Sequence, residues 1–174
     1  MSRTAYARIA GFTLLFYIVV GLTGMALSTG ANAHGAAARL ATVGQQASAL
    51  TLAVTLYLIT RRENDVVAAT GLVFRSIESV GGQVAGLLNV AWSIGLSATF
   101  FAAGSTCFSY LLLRGRMIPS ALAWLGVVAS VLLVVCLPLQ LGGLLTGPVT
   151  LIIWLPMLMF EVAVAMWFLA RGVL

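Results

Sequence analysis

Three ionisable residues, Arg75, Glu78 and Glu161, fall inside long apolar runs. A charge at the centre of a membrane-spanning helix costs about 2.5–3.5 kcal/mol on the insertion scale, so such residues turn toward protein or water and pair with one another. Arg75 and Glu78 are three positions apart and share one helix face. Arg75 stands ten residues from Asp65, and Glu161 ten residues from Arg171. Each spacing is about 15 Å of helix rise, which brings both to mid-membrane depth from the same side. The spacing predicts a buried cluster of Arg75, Glu78 and Glu161. With two acids and one base, one carboxyl is expected to keep its proton, because an unpaired buried carboxylate is costly. Two roles fit: a pin holding the last helix against the third, or a proton- or ion-responsive site in a transporter or sensor.

Other polar side chains inside the runs are weaker signals. Gln45 and Gln46 fall in one half of the second run and would line a polar pathway. Thr51, Thr55, Ser97, Ser105, Thr106, Ser109 and Gln140 are also inside runs. Their hydroxyls can bond to their own helix backbone, so Ser and Thr are read as passengers. The cysteines, Cys107 and Cys136, are isolated in apolar sequence and read as small hydrophobes.

Most catalytic chemistry lacks its residues. His34 is the one histidine and lies between the first two runs. A histidine pair for metal or haem within the chain is therefore ruled out, as is a Ser–His pair inside the membrane. The glycines form no phosphate-cradling loop with a lysine, since the chain has no lysine. The expectation is no catalytic residue, no metal, no cofactor and no enzymatic activity. The net charge of +5 comes from arginines standing singly or in pairs between apolar runs. That is the pattern of membrane-protein loops rather than of a nucleic-acid surface.

These residues need a membrane scaffold. Hydrophobic residues make up 61% of the 174 and charged residues 7%, against about 25% charged in a soluble domain. Six runs approach the roughly 20 residues that cross a bilayer as helix: about 9–27, 40–60, 66–86, 93–113, 120–141 and 149–170. Short turn-forming links join them, so consecutive helices should be antiparallel neighbours in one domain covering 1–174. Placing the N-terminus in the cytoplasm puts Arg3, Arg8, Arg61, Arg62, Arg114, Arg116 and Arg171 inside and only Arg39 outside. The pattern holds only if the third run crosses.

That third run is the weak one. Its ten Leu, Ile, Val and Phe residues between Val66 and Leu88 contribute roughly −3 to −6 kcal/mol, while two charges cost roughly 5–7. It should therefore sit inside the bundle. Arg3, Arg8 and Ala31-Asn32-Ala33 resemble signal-peptide flanks, but the apolar stretch is too long, so an uncleaved first helix is expected. Gly82-x-x-x-Gly86 and Gly24-x-x-x-Ser28 have small-residue packing spacing. Pro138 and Pro156 should bend the last two helices. Trp92, Trp124 and Trp167 read as interface anchors.

Several patches together resemble a bacterial membrane family, domain of unknown function 4386. The clearest is Tyr110-Leu-Leu-Leu-Arg-Gly-Arg-Met-Ile-Pro119, followed by Leu122 and Trp124-Leu125-Gly126. Glu161, Trp167-Phe168-Leu169 and Gly172 are similar to the family's last helix. Arg8-Ile9-Ala10-Gly11, Leu56-Tyr57, and Phe74-Arg75 with Glu78 also fit. This chain is shorter in the links after helices one and three, and has Gly115 where a small hydroxyl residue is usual. The resemblance implies a multi-helix membrane fold and brings no activity with it.

The sequence thus predicts an all-α, polytopic six-helix bundle with both termini in the cytoplasm of a bacterium, held in the inner membrane. Its role is expected to be non-catalytic: structural, accessory or partner-binding, with ion-coupled transport or sensing as the alternative. The partners expected are the bilayer and either a second copy or another membrane protein.

Overall fold

A computed structural model describes residues 2–27 and 35–174. Every regular element in them is helical: α1 (Arg3–Leu27), α2 (Ala36–Thr60), α3 (Asp65–Leu87), α4 (Ile94–Arg114), α5 (Ser120–Leu141), α6 (Val149–Ile152) and α7 (Leu155–Ala170). Local chemistry sets several boundaries. Asn64 caps α3 by accepting from the Val67 amide at 3.1 Å, with Asp65 in the first turn. Ser93 caps α4 by accepting from the Leu96 amide at 3.1 Å. Proline precedes α5 at Pro119, where no intrahelical N–H is needed. Asn89 turns the chain after α3 at φ 53°, in the left-handed region that Asn tolerates.

The helices form a closed ring. α1 to α5 pack each on the next, α5 packs on α7, and α7 returns to pack on α1. The inward faces carry the core, including Leu14, Leu52, Phe101, Leu112, Met157, Phe160 and Phe168. The outward faces are just as apolar: Phe12, Met25, Leu40, Val66, Ile94 and Leu151 are each more than 60% exposed. A soluble protein rarely presents so large an apolar surface, whereas lipid requires it. Among the described residues, five rods are long and apolar enough to cross a bilayer: α1, α2, α4, α5 and the run Val149–Ala170. The chain is a multi-pass membrane protein. α3 does not meet that criterion, because Arg75, Glu78 and its small and polar residues dilute it.

Several expectations need correction. The first two rods begin earlier than the apolar runs, at Arg3 and Ala36, since interfacial turns stay helical beyond the apolar stretch. The last run is not one bent helix. It breaks at Ile153-Trp154, and Pro156 sits in the first turn of α7. Proline cannot donate to the carbonyl four residues back, Ile152, so α6 ends there. α5 runs unbroken through Pro138.

Gly82-x-x-x-Gly86 makes no close approach between two helices: Gly82 faces Trp92, and Gly86 opens onto empty space. Close backbone approaches occur elsewhere. A Cβ on Gly11 of α1 would lie 2.7 Å from the Ala165 carbonyl oxygen of α7. Gly24 lies against Ala41, but its spacing partner Ser28 is outside the described residues, as are His34 and Ala31-Asn32-Ala33. Trp92 is folded inward rather than standing free as an anchor. It covers Gly81, stacks on Phe100 with ring centroids 6.0 Å apart, and donates to Ser97 Oγ at 2.6 Å. Trp124 is exposed, and Trp167 lies beneath Arg171, whose Cζ is 5.3 Å from the ring centroid.

Candidate functional site

The site is built around Arg75. Its position on the inward face of α3 buries it to 2% exposure, and it is the largest fully buried side chain. Glycine makes the space. A Cβ on Gly104 of α4 would lie 2.7 Å from Arg75 Cγ and 3.0 Å from Cδ, so the arginine stem occupies the groove that glycine leaves. A Cβ on Gly71 of α3 would lie 3.1 Å from Cys107 Cβ and 3.2 Å from Phe108 Cζ of α4. These contacts bring two backbones together where Arg75 must cross between them.

The guanidinium meets three partners, one carboxylate and two aromatic rings. Glu78 lies one turn along the same helix, with Arg75 Nη1 to Glu78 Oε2 at 3.0 Å. That contact is close but poorly aligned, for neither atom makes a hydrogen bond among the described residues. Phe101 of α4 presents its ring face to the guanidinium, with Cζ 4.5 Å from the centroid, and Tyr17 of α1 does so at 5.6 Å. A cation over an aromatic face in a desolvated setting is worth about 2 kcal/mol. Tyr17 also donates its hydroxyl to Glu78 Oε1 at 3.2 Å. One ion pair on α3 is thus gripped by α1 and α4. Ser79 adds a bond from α3 to α2 by donating to the Gln46 carbonyl at 2.9 Å.

Glu161 sits differently. The ion pairs among the described residues are Arg3–Glu63 at 3.8 Å and Arg75–Glu78 at 3.0 Å, and Glu161 takes part in neither. It is close enough to Arg75 and Glu78 to feel their charges. Glu161 and Arg75 both line a cavity of about 40 Å³ inside the ring. Its polar lining is Arg75, Glu161, Ser105 and Ser109, and the rest is apolar side chains from α1, α2, α4 and α7. At about 10–15 Å³ per water, it has room for two or three.

Among the sequence candidates, then, Arg75 and Glu78 touch, and Glu161 lines the same cavity as Arg75. α3 and α7 are not ring neighbours, since α3 packs on α2 and α4 while α7 packs on α1 and α5. Gln45 and Gln46 are absent from the cavity lining. Gln45 lies over Gly21 of α1, and Gln46 contributes its backbone carbonyl to Ser79. Sequence reasoning missed Tyr17 and Phe101. A tyrosine in the middle of an apolar span was the available signal, because its hydroxyl needs a partner there. Ser105 and Ser109, read as passengers, line the cavity. Among the described residues, no group of three or more His, Cys, Asp or Glu is placed to hold a metal.

The family model for the domain of unknown function 4386 matches residues 83–172, more than half of the chain. The chain belongs to that family. The match takes in α4 to α7 and with them Phe101, Ser105, Ser109 and Glu161, whereas Tyr17, Arg75 and Glu78 precede it. The patches around Arg8, Tyr57 and Arg75 also lie before the matched residues. No curated protein and no solved structure matches the chain.

Proposed function

We propose that this member of the domain of unknown function 4386 is a non-catalytic, structural or partner-binding protein of the bacterial inner membrane. In this reading α3 crosses as a sixth span, both termini are cytoplasmic, and Arg75 is the pin of the ring. The observation that carries it is one buried guanidinium held by Glu78 on α3, Tyr17 on α1 and Phe101 on α4. Three rods of a ring that lipid cannot hold together by hydrophobic force thereby share one electrostatic centre. Its partners are the bilayer and, on its exposed faces, a second copy or another membrane protein. The sequence supports a non-catalytic role through its single histidine and its scattered acids.

The test exchanges the charges. In the double variant Arg75→Glu, Glu78→Arg the pair is restored with opposite polarity. A pin predicts recovery of thermal stability in detergent and of any cellular phenotype lost in the single variants. Stability recovered without the phenotype would assign the charges a further task. Labelling of single cysteines placed at Ser2 and Val173 checks the orientation; reactivity from the periplasmic side would overturn it.

A second reading, a proton- or ion-coupled transporter or sensor, is favoured by one observation: Glu161 faces a cavity and has no ion-pair partner. Proteoliposome pH-flux assays on the wild type and Glu161→Gln address transport, and equal fluxes remove it.

A further inference from the structure

Glu161 and Glu78 stand in unlike settings. Glu78 is engaged on both oxygens, by Tyr17 at Oε1 and by Arg75 at Oε2. Glu161 has neither kind of contact and borders the cavity. The charged or titratable groups around it are Arg75 and Glu78 from α3 and Tyr17 from α1. The cavity walls from α2 and α4 are leucine, serine and phenylalanine, and α5, whose one titratable side chain is Cys136, lines none of it. Arg75 Nη1 is a buried donor without a hydrogen-bonded acceptor. A cavity wide enough for two or three waters and lined by a cation, a carboxyl and two hydroxyls suits a short hydrogen-bonded water chain.

The cavity runs along α7 from Met157 to Phe168. Toward the arginine-bearing ends it meets Leu112 and Phe168, each no more than 2% exposed. Tyr17 and Phe101 cover the Arg75 guanidinium. Phe101 in turn packs on Trp154 with centroids 5.8 Å apart.

We infer that Glu161 is a proton-binding site, wetted by the cavity it lines together with Arg75, Ser105 and Ser109. This deepens the second reading above and rests on it. A proton from cavity water forms an O–H bond with a Glu161 carboxylate oxygen and returns to that water when the bond breaks.

The experiment is infrared difference spectroscopy of the carboxyl C=O stretch, in lipid nanodiscs cycled between acid and neutral pH. One buried carboxyl band should titrate and shift in D2O. Glu161→Gln should abolish it. Ser105→Val, which narrows the cavity without touching a charge, should slow hydrogen–deuterium exchange of the band at least tenfold. A band that survives Glu161→Gln or ignores D2O overturns the inference. Should the glutamine variant not fold, Glu161→Asp keeps a carboxyl and should shift the band, and an unmoved band overturns the inference as well. A null flux assay with a titrating band removes transport alone, whereas a silent band removes the proton site and leaves the pin intact.

Discussion

Replacing Arg75 by methionine tests the pin most directly. The side chains have similar length, so the groove beside Gly104 stays filled while the charge is lost. Glu78 is left with the Tyr17 hydroxyl as its one contact, and two carboxyl groups then share the ring centre with no cation. Breaking a buried pair by removing one partner costs about 3–5 kcal/mol. The orphaned carboxyl can escape by taking a proton. For a carboxyl whose reference pKa is about 4.3, that costs about 3.7 kcal/mol at pH 7 and about 1 kcal/mol at pH 5. The loss should therefore be about 3–4 kcal/mol at neutral pH and shrink by roughly 2–3 kcal/mol at pH 5. In Arg75→Met, Glu78→Met no charge is orphaned, and stability should return to within about 1 kcal/mol of the wild type or exceed it. Unfolding in mixed micelles, followed by helical circular dichroism at both pH values, measures all three. A single variant that loses less than about 1 kcal/mol and does so equally at both pH values would refute the reasoning.

Removing the Tyr17 hydroxyl in Tyr17→Phe keeps the ring over the guanidinium and deletes the bond to Glu78. The same unfolding assay should show a loss of about 1.5–3 kcal/mol, as for a hydrogen bond to a charged group. The loss should vanish in a Glu78→Met background. Two glycines with opposite surroundings form a further pair. Gly104→Ala drives a Cβ to 2.7 Å from Arg75 Cγ and 3.1 Å from the Gly71 carbonyl oxygen, and should cost about 1–3 kcal/mol. Gly86→Ala meets nothing within 4 Å and should be neutral or stabilising by up to about 1 kcal/mol. Equal effects at the two sites would show that the α3–α4 approach is looser than described.

Composition and run length made the helices legible, because a bilayer imposes one length and one polarity on every crossing segment. The depth of Arg75 and Glu161 was legible for the same reason: a helix converts residue count into height. What could not be read was azimuth. Residue count places Glu161 level with Arg75 but does not tell which rods are neighbours. Only the ring order separates α3 from α7 and leaves a cavity where a direct ion pair was expected. Tyr17 was hidden similarly, since its contact to Glu78 joins residues 61 positions apart. The two glutamines show the converse failure. Their polarity suggested a pathway, yet in this ring Gln46 serves through its backbone, a role that any residue type can fill.

The third helix joins these points. Five rods carry enough apolar sequence to enter a bilayer unaided, and α3 does not. It is also the rod whose charges hold α1 and α4. The same residues that make it a poor membrane segment alone are those that the assembled ring satisfies, so its insertion should depend on its neighbours. α1 and α2 precede it in the chain, but Phe101 and Gly104 arrive only with α4. A chain ending after Asn89 should leave α3 incompletely inserted, and a chain ending after Arg116 should insert it fully. Arg75→Leu should make the shorter chain insert as well as the longer one, because the change replaces a cost of about 3 kcal/mol with a gain of about 0.5 kcal/mol. Labelling of a cysteine placed at Gly86, in a chain otherwise free of cysteine, reads the crossing. Complete insertion of α3 from the shorter wild-type chain would mean that its charges find partners before α4 exists, and would remove α4 from the account of how Arg75 is accommodated.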